Sequence, residues 1–186
     1  MADPVWTNQY ALNQTPEQNG FTRVLYSSPV VNAVTTGTPA NRRVEITSST
    51  GDAVFVLSNV PSLDISNGAT IETTLSCSGS GDAGFELTFQ TTHFGIQVYQ
   101  NSVTVVVADG LPEHTIDTSS NSSDTIIRAT VSSDNTLRVY RAGVLVDTRS
   151  MPLDNHPLPR VLWWGEAGGT QIFRALKYYV GGAVAP

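Results

Sequence analysis

A chain of 186 residues, 40% hydrophobic and 14% charged, is long enough to bury one substantial core, and all-β sandwiches reach this size undivided. Its formal net charge of −6, with 16 acidic residues against one Lys and nine Arg, argues against a binder of nucleic-acid phosphates, which needs a basic surface. The single cysteine, Cys77, excludes an intrachain disulfide and a cysteine-based zinc site, and no apolar run approaches the ~20 residues of a membrane helix.

Residues 1–20 are polar and read as an irregular segment packed along a sheet edge, with Trp6 and Tyr10 as anchors. Met1-Ala2-Asp3-Pro4 leads straight into polar sequence with no signal-peptide pattern, which fits either a cytosolic chain or a mature exported domain. Phe21 to Tyr26 is the first predicted strand, followed by a loop rich in Thr, Gly and Pro from Ser27 to Asn41. Arg43 to Thr47 alternates apolar with polar, Ser49 to Asp52 turns, and Ala53 to Leu57 returns, which predicts a hairpin. Ala69 to Leu75 is another alternating strand, Ser76 to Gly84 reads by composition as a flexible loop, and Cys77 near its start, continuing a strand-like run, reads as a small buried residue. Phe85, Leu87 and Phe89 share one face, and strands over Gly95–Tyr99 and Val103–Val107 follow. Residues 109–123 read as a loop. Late in the chain come Pro159 to Trp164, a loop over Gly165–Gly169, and a long final strand from Gln171 to Val180. About a dozen strands at this spacing, with no helical periodicity, predict a single all-β domain over residues 1–186: a two-sheet antiparallel sandwich of the jelly-roll kind.

Between Asp124 and Met151 the pattern is dense enough to predict register. Ala142-Gly143 fits a two-residue hairpin loop, and Ser133-Asp134-Asn135 a three-residue loop with Asn in the left-handed position. Pairing outward sets Val131 opposite Leu137, Ala129 opposite Val139, Val139 opposite Val146 and Arg138 opposite Asp147. One face of this meander is then apolar, including Val144 and Val146. The other is wet and carries Arg128, Thr130, Arg138, Tyr140, Asp147 and Arg149.

The strand–turn–strand Thr136-Leu137-Arg138-Val139-Tyr140-Arg141-Ala142-Gly143-Val144-Leu145-Val146 is similar to a hairpin of the concanavalin A-like lectin/glucanase superfamily, which includes laminin G-like modules. Thr125 to Val131 before it and the closing strand Ile172 to Val180 also fit, although Ala142 stands where the family usually has Asp. The resemblance implies two stacked, curved antiparallel sheets whose concave face binds glycan in many members. It also implies an extracellular or cell- or particle-surface location and a poly- or oligosaccharide partner. No cofactor follows from it, and calcium enters only as a structural ion that such a fold can hold. Residues of this chain suited to that role are Trp163 and Trp164, adjacent on one strand, so that one faces the core and the other solvent. An outward indole stacks on the apolar face of a sugar ring. Arg128, Arg138, Tyr140 and Asp147 would supply directional hydrogen bonds, and Glu166 in the following loop completes the expected ligand-binding set. The same residues equally suit a solvated sheet face held by cross-strand ion pairs.

Catalytic spacing is sparse. The Glu-x-Asp-x-x-Glu strand of the glucanase branch is absent, while Glu45, Glu72 and Glu86 sit on separate predicted strands and could pair only through the fold. No Gly-x-Ser-x-Gly elbow or His-Glu-x-x-His motif occurs, and His93, His114 and His156 are scattered with no metal-ligand spacing. Alginate-lyase-like members of the fold carry an Arg-rich strand, a Gln-x-His strand and a late Tyr-x-Lys-x-Gly strand. Arg42-Arg43, Gln90-Thr91-Thr92-His93 and Lys177-Tyr178-Tyr179-Val180-Gly181 occur in that order, with longer Gln–His spacing and Tyr after Lys. By that resemblance His93 or Tyr178 would abstract a proton and Arg43 would neutralise a uronate carboxylate. A non-catalytic carbohydrate-binding module is the reading expected here, with a polysaccharide lyase or glycosidase of the same fold, or a structural or adhesive module of a larger assembly, as alternatives.

Overall fold

The computed structural model describes residues 5–10, 12–58, 60, 63–107, 112–153 and 159–186. Among these, fifteen strands form: β1 Asn8–Tyr10, β2 Thr22–Tyr26, β3 Val30–Val34, β4 Arg43–Ser48, β5 Asp52–Ser58, β6 Ala69–Gly79, β7 Ala83–Thr88, β8 His93–Tyr99, β9 Ser102–Val106, β10 His114–Asp117, β11 Thr125–Val131, β12 Thr136–Arg141, β13 Val144–Ser150, β14 Arg160–Gly165 and β15 Gly169–Val180. They pair antiparallel in two sheets. The first runs β13-β12-β11-β6-β15-β4-β3, with β1 alongside β15, and the second runs β10-β9-β8-β7-β14-β5-β2. The chain passes repeatedly from one sheet to the other, so both inner faces close on a common core. This is a two-sheet antiparallel sandwich consistent with a jelly roll, as the strand pattern predicts.

Trp163 is fully buried at the centre of that core. Phe21, Phe55 and Phe173 surround its ring at centroid distances of 5.9, 5.0 and 4.7 Å, the first and last edge-on. Those geometries suit the ring quadrupole and add to the burial of four large side chains. Cys77 lies in β6, buried, with its thiol donating to the Val98 carbonyl at 3.0 Å, so the stretch read as a flexible loop is mostly strand.

Other expectations are corrected. β4 and β5 are not hairpin partners: β4 pairs with β3 and β15, and β5 with β2 and β14. The turn between them crosses from sheet to sheet, and it is so tight at Gly51 that a Cβ there would stand 2.3 Å from the Tyr26 carbonyl oxygen. Alternation alone does not distinguish such a crossing from a hairpin. The loop over Ser27–Asn41 contains β3, and the loop over 109–123 contains β10. The N-terminal segment is partly regular, because β1 extends the first sheet by pairing Asn8 with Tyr178 and Tyr10 with Leu176. Trp6 anchors as expected, while the Tyr10 side chain lies outside the described residues.

Both turns of the meander form as read. Asn135 (φ 61°) takes the left-handed conformation, as do Ala142 (φ 48°) and Gly143 (φ 83°), and Val131 and Ala129 face Leu137 and Val139. The second pairing does not hold. A bulge places Leu145 opposite Tyr140 and Asp147 opposite Val139, leaving Val146 unpaired between them. One extra residue shifts everything beyond it to the other side. Arg138 therefore faces Thr148, whereas Asp147 and Arg149 share the inter-sheet side of Val139 and Leu137 at the rim and pair with each other at 2.5 Å. Val144, expected in the core, is 65% exposed.

The bulge makes a measurable difference to coupling. A double-mutant cycle between Arg149 and Asp147 is expected to give a few tenths to ~1 kcal/mol, the range of a partly exposed ion pair, and one between Arg138 and Asp147 close to zero. Urea titrations of the four variants in each cycle read this directly. Coupling at Arg138 equal to that at Arg149 would restore the unbulged register.

Candidate functional site

The residues named from sequence fall on three surfaces rather than one. Arg128, Arg138 and Tyr140 lie on the outer face of the first sheet. That face is not wet at Arg128, which is 4% exposed. Its guanidinium holds Glu72 at 2.5 and 2.8 Å, Lys177 holds the other oxygen at 2.9 Å, and the Trp6 ring covers both cations at 5.4 and 5.3 Å. The C-terminal residues add to the cover. The Thr70 hydroxyl donates to the Gly182 carbonyl at 2.9 Å and accepts the Val184 N–H at 2.9 Å. Arg128 is thus engaged in holding both chain ends to the sheet, and Asp147 is on a different side altogether.

The alternative catalytic set is not brought together either. Tyr178 pairs with Ile71, 6% exposed within the core, and Arg43 bonds Glu45 at 3.1 Å on β4 of the same sheet. His93 is on the second sheet. A lyase centre built from these three does not form.

Trp163 and Trp164 behave as adjacent strand residues must. Trp163 is the inward one and Trp164 the outward, half-buried one. Trp164 sits opposite Gly84 on one neighbour and Val54 on the other. A Cβ on Gly84 would be 2.2 Å from the indole, and one on Gly95, a strand further on, 3.6 Å. The ring therefore lies down across β7 and β8, over backbone that only glycine leaves open.

Strand parity then puts Asp82, Glu86 and Thr88 of β7 and its approach on the face of Trp164, with Gln97 and His93 from β8, Glu166 and Arg160 beside β14, and Asp52 and Tyr26 from the far strands. A cleft of about 300 Å³ on one side of the indole is lined by Tyr26, Val54 and Leu162 and by three carboxylates, Asp52, Glu86 and Glu166. A smaller one of about 180 Å³ on the other side is lined by Glu86, His93, Gly95, Gln97 and Val106. Glu86 separates the two. It accepts from the Thr88 hydroxyl and from Arg160 at 3.3 Å. Asp52 accepts the Ala167 N–H at 2.9 Å and so fixes the loop that carries Glu166.

At the end of this row Asp82 is fully buried, and neither carboxyl oxygen meets a donor in good hydrogen-bonding geometry, although Glu166 and the Trp164 indole stand next to it. Burial, and then the charge of Glu166, push its pKa up to about 8, with Glu113 adding to the effect. Gln97, with its amide nitrogen turned toward Glu113, reaches both oxygens at 3.0 and 3.1 Å. Burial and the same acids push the Tyr99 hydroxyl up to about 12, and burial followed by Asp82 does the same to the Cys77 thiol. Sequence reasoning missed Asp82, Asp52 and Tyr26 as neighbours of Trp164. Only Asp82 left a legible signal, the two-residue spacing Asp82-x-Gly84-x-Glu86. Among the described residues no group of three His, Cys, Asp or Glu side chains is arranged to hold a metal ion, and calcium has no evident seat there.

No protein-family model matches the chain, and no curated protein matches it in sequence. Solved structures share its fold. A glycosyl hydrolase family protein from Mycobacterium fortuitum superposes with a TM-score of 0.63 at 10% identity, over 95% of this chain and 100% of that one. A carbohydrate esterase from the Shiga toxin-encoding bacteriophage phi24B gives 0.59 at 12% identity, over 90% and 93%. Botulinum neurotoxin type C, which interacts with two ganglioside molecules, gives 0.62 at 10% identity, over 88% of this chain but 44% of that one. The chain thus spans less than half of the toxin chain it resembles. These neighbours are carbohydrate-related proteins, and at such identities the likeness is one of fold.

The raised pKa of Asp82 has a definite sign in stability. An unfolded Asp ionises near 3.8, whereas the folded one keeps its proton until about 8, so the folded state binds the extra proton across that window. Stability from this group is therefore greatest below pH ~4, falls as the pH rises toward about 8, and is level above it. Asp82→Asn, which cannot ionise, is expected to flatten that decline and to melt higher than the parent protein at pH 8. Melting curves of both proteins across the window check this, and parallel curves would show that Asp82 ionises normally.

Proposed function

We propose that this chain is a concanavalin A-like carbohydrate-binding module that takes glycan on the outer face of the second sheet, with Trp164 as its stacking platform. The observation that carries the reading is the placement of that indole: outward, half-buried, laid over two glycines, and flanked on both sides by clefts. A ring held flat in this way offers a preorganised apolar surface, so little side-chain entropy is lost when a sugar stacks on it. Glu86, Gln97 and Asp52 line the clefts beside the ring and would accept or donate hydrogen bonds with hydroxyls of a stacked sugar. The Arg128 cluster has no part in this, being occupied by Glu72 and covered by Trp6. The carbohydrate-related neighbours of the fold support the reading at the level of class. An extracellular or particle-surface location belongs to the same proposal.

Trp164→Ala is expected to weaken glycan binding at least several-fold, a stacking contribution of about 1 kcal/mol beyond area burial, with little change in melting temperature. Trp163→Ala is expected to do the reverse and cost roughly 3–5 kcal/mol of stability, as deletion of a core aromatic does. A glycan array on the parent protein, then calorimetry and melting curves on both variants, separates the two. Loss of binding without loss of stability in Trp164→Ala supports the site. Undiminished binding in that variant would overturn it.

A further inference from the structure

The larger cleft beside Trp164 presents three carboxylates and two aromatic rings and no Lys, Arg or His. Just behind Glu166 lies the fully buried Asp82, which burial and the Glu166 charge keep protonated, so the ionised carboxylates of the cleft are those at its surface. Of the basic side chains on this face, Arg160 bonds Glu86 at its far end, and His93 lines the opposite cleft. An anionic sugar placed here would meet like charge from Asp52, Glu86 and Glu166 together, which is strongly unfavourable in a partly desolvated cleft. A neutral sugar would find acceptors in excess and few donors. A protonated amine would find both kinds of partner it needs: charge-assisted hydrogen bonds from the carboxylates, and the negative faces of the Trp164 and Tyr26 rings.

We infer that the cleft formed by Asp52, Glu86, Glu166, Tyr26 and Trp164 selects amino sugars with a free, protonated amine over N-acetylated, neutral and uronic acid sugars. This inference rests on the glycan-binding reading and narrows it. Stacking on Trp164 would hold the ring, and the amine would be directed to Glu166, which stands exposed on its loop while Asp52 holds that loop through the Ala167 N–H. Selection comes from charge and stacking in combination. A cation without a sugar ring would lack the apolar face for the indole, and a sugar without a cation would leave Glu166 without a charged partner, since Arg160 already pairs with Glu86 and the Ala167 N–H with Asp52.

The test is calorimetry at about pH 5.5, where an amine is protonated and an ordinary carboxyl ionised, with four tetrasaccharides: glucosamine, N-acetylglucosamine, glucose and a uronic acid. A lysine tetrapeptide serves as the charge control. The glucosamine oligomer is expected to bind about tenfold more tightly than the glucose oligomer, the size of one charge-assisted hydrogen bond. That margin should shrink as salt is raised. In Glu166→Gln, whose site of change is exposed and so leaves the fold alone, the ratio of the two affinities should fall toward one. Equal binding of the glucosamine and glucose oligomers, tighter binding of the uronate, or equal binding of the lysine peptide would each overturn the amine preference while leaving a glycan site in place. Binding of none of the four saccharides would overturn the glycan reading itself, and the preference with it.

Discussion

Adjacent residues of a strand point to opposite faces, and at Trp163 and Trp164 this rule ties the core of the molecule to its most chemically distinctive surface. Trp163 enters a cage of Phe21, Phe55 and Phe173, rings drawn from both sheets and from the approach to β2. With that ring fixed, β14 has no freedom to slide or turn. Trp164 must then lie outside, at one position, between β7 and β5. The glycines beneath it follow as a requirement, since a side chain at Gly84 would occupy the space of the indole. An outward Trp on a freely moving loop would have to be ordered by its ligand. This one is ordered by the core.

The two outer faces of the sandwich show opposite solutions to the placing of charge. On the first sheet Glu72 is buried, and its two oxygens are each given a cation, Arg128 and Lys177, with Trp6 over both. Satisfied in this way, a buried carboxylate is tolerable, and the cluster fastens residues from both ends of the chain. Just before β7, Asp82 is buried beside Glu166 and Glu113, with neither carboxyl oxygen hydrogen-bonded in good geometry. Such a group costs stability at neutral pH, and folds retain such costs most often where binding or chemistry needs them. The difference explains why the Arg-rich face, the obvious binding surface by residue type, is the less suitable one. There Glu72, Arg128 and Lys177 already satisfy one another.

How much of this the sequence shows depends on how local the determining contacts are. The meander turns at Asn135 and Ala142-Gly143 are set by a few residues with left-handed preference, and they are legible. The bulge at Val146 is not, because an extra residue in β13 is decided by how that edge strand meets the sandwich rim, and both registers put an apolar pair on a face. The pairings of β4 and β5 were hidden for a similar reason. Two alternating strands joined by a short turn look alike whether they pair with each other or part company into different sheets. For the site, one inward and one outward Trp could be read from adjacency, but not which was which, since that depends on the parity of β14 against a core built by distant strands.

The carboxylates around Trp164 were the least legible part, and the reason is physical rather than a matter of pattern. Asp52, the pair Asp82 and Glu86, and Glu166 come from three separate stretches, each unremarkable by itself, and only the order β7-β14-β5 sets them on one face. A net charge of −6 spread evenly over a chain this size would mean little beyond solubility. Concentrated beside a preorganised ring, with the few cations of the second sheet placed at its margins, the same charge becomes a field with a direction. The fold therefore gives a bland compositional excess a location, by deciding which acids are paired with cations and which stand at the surface beside the ring.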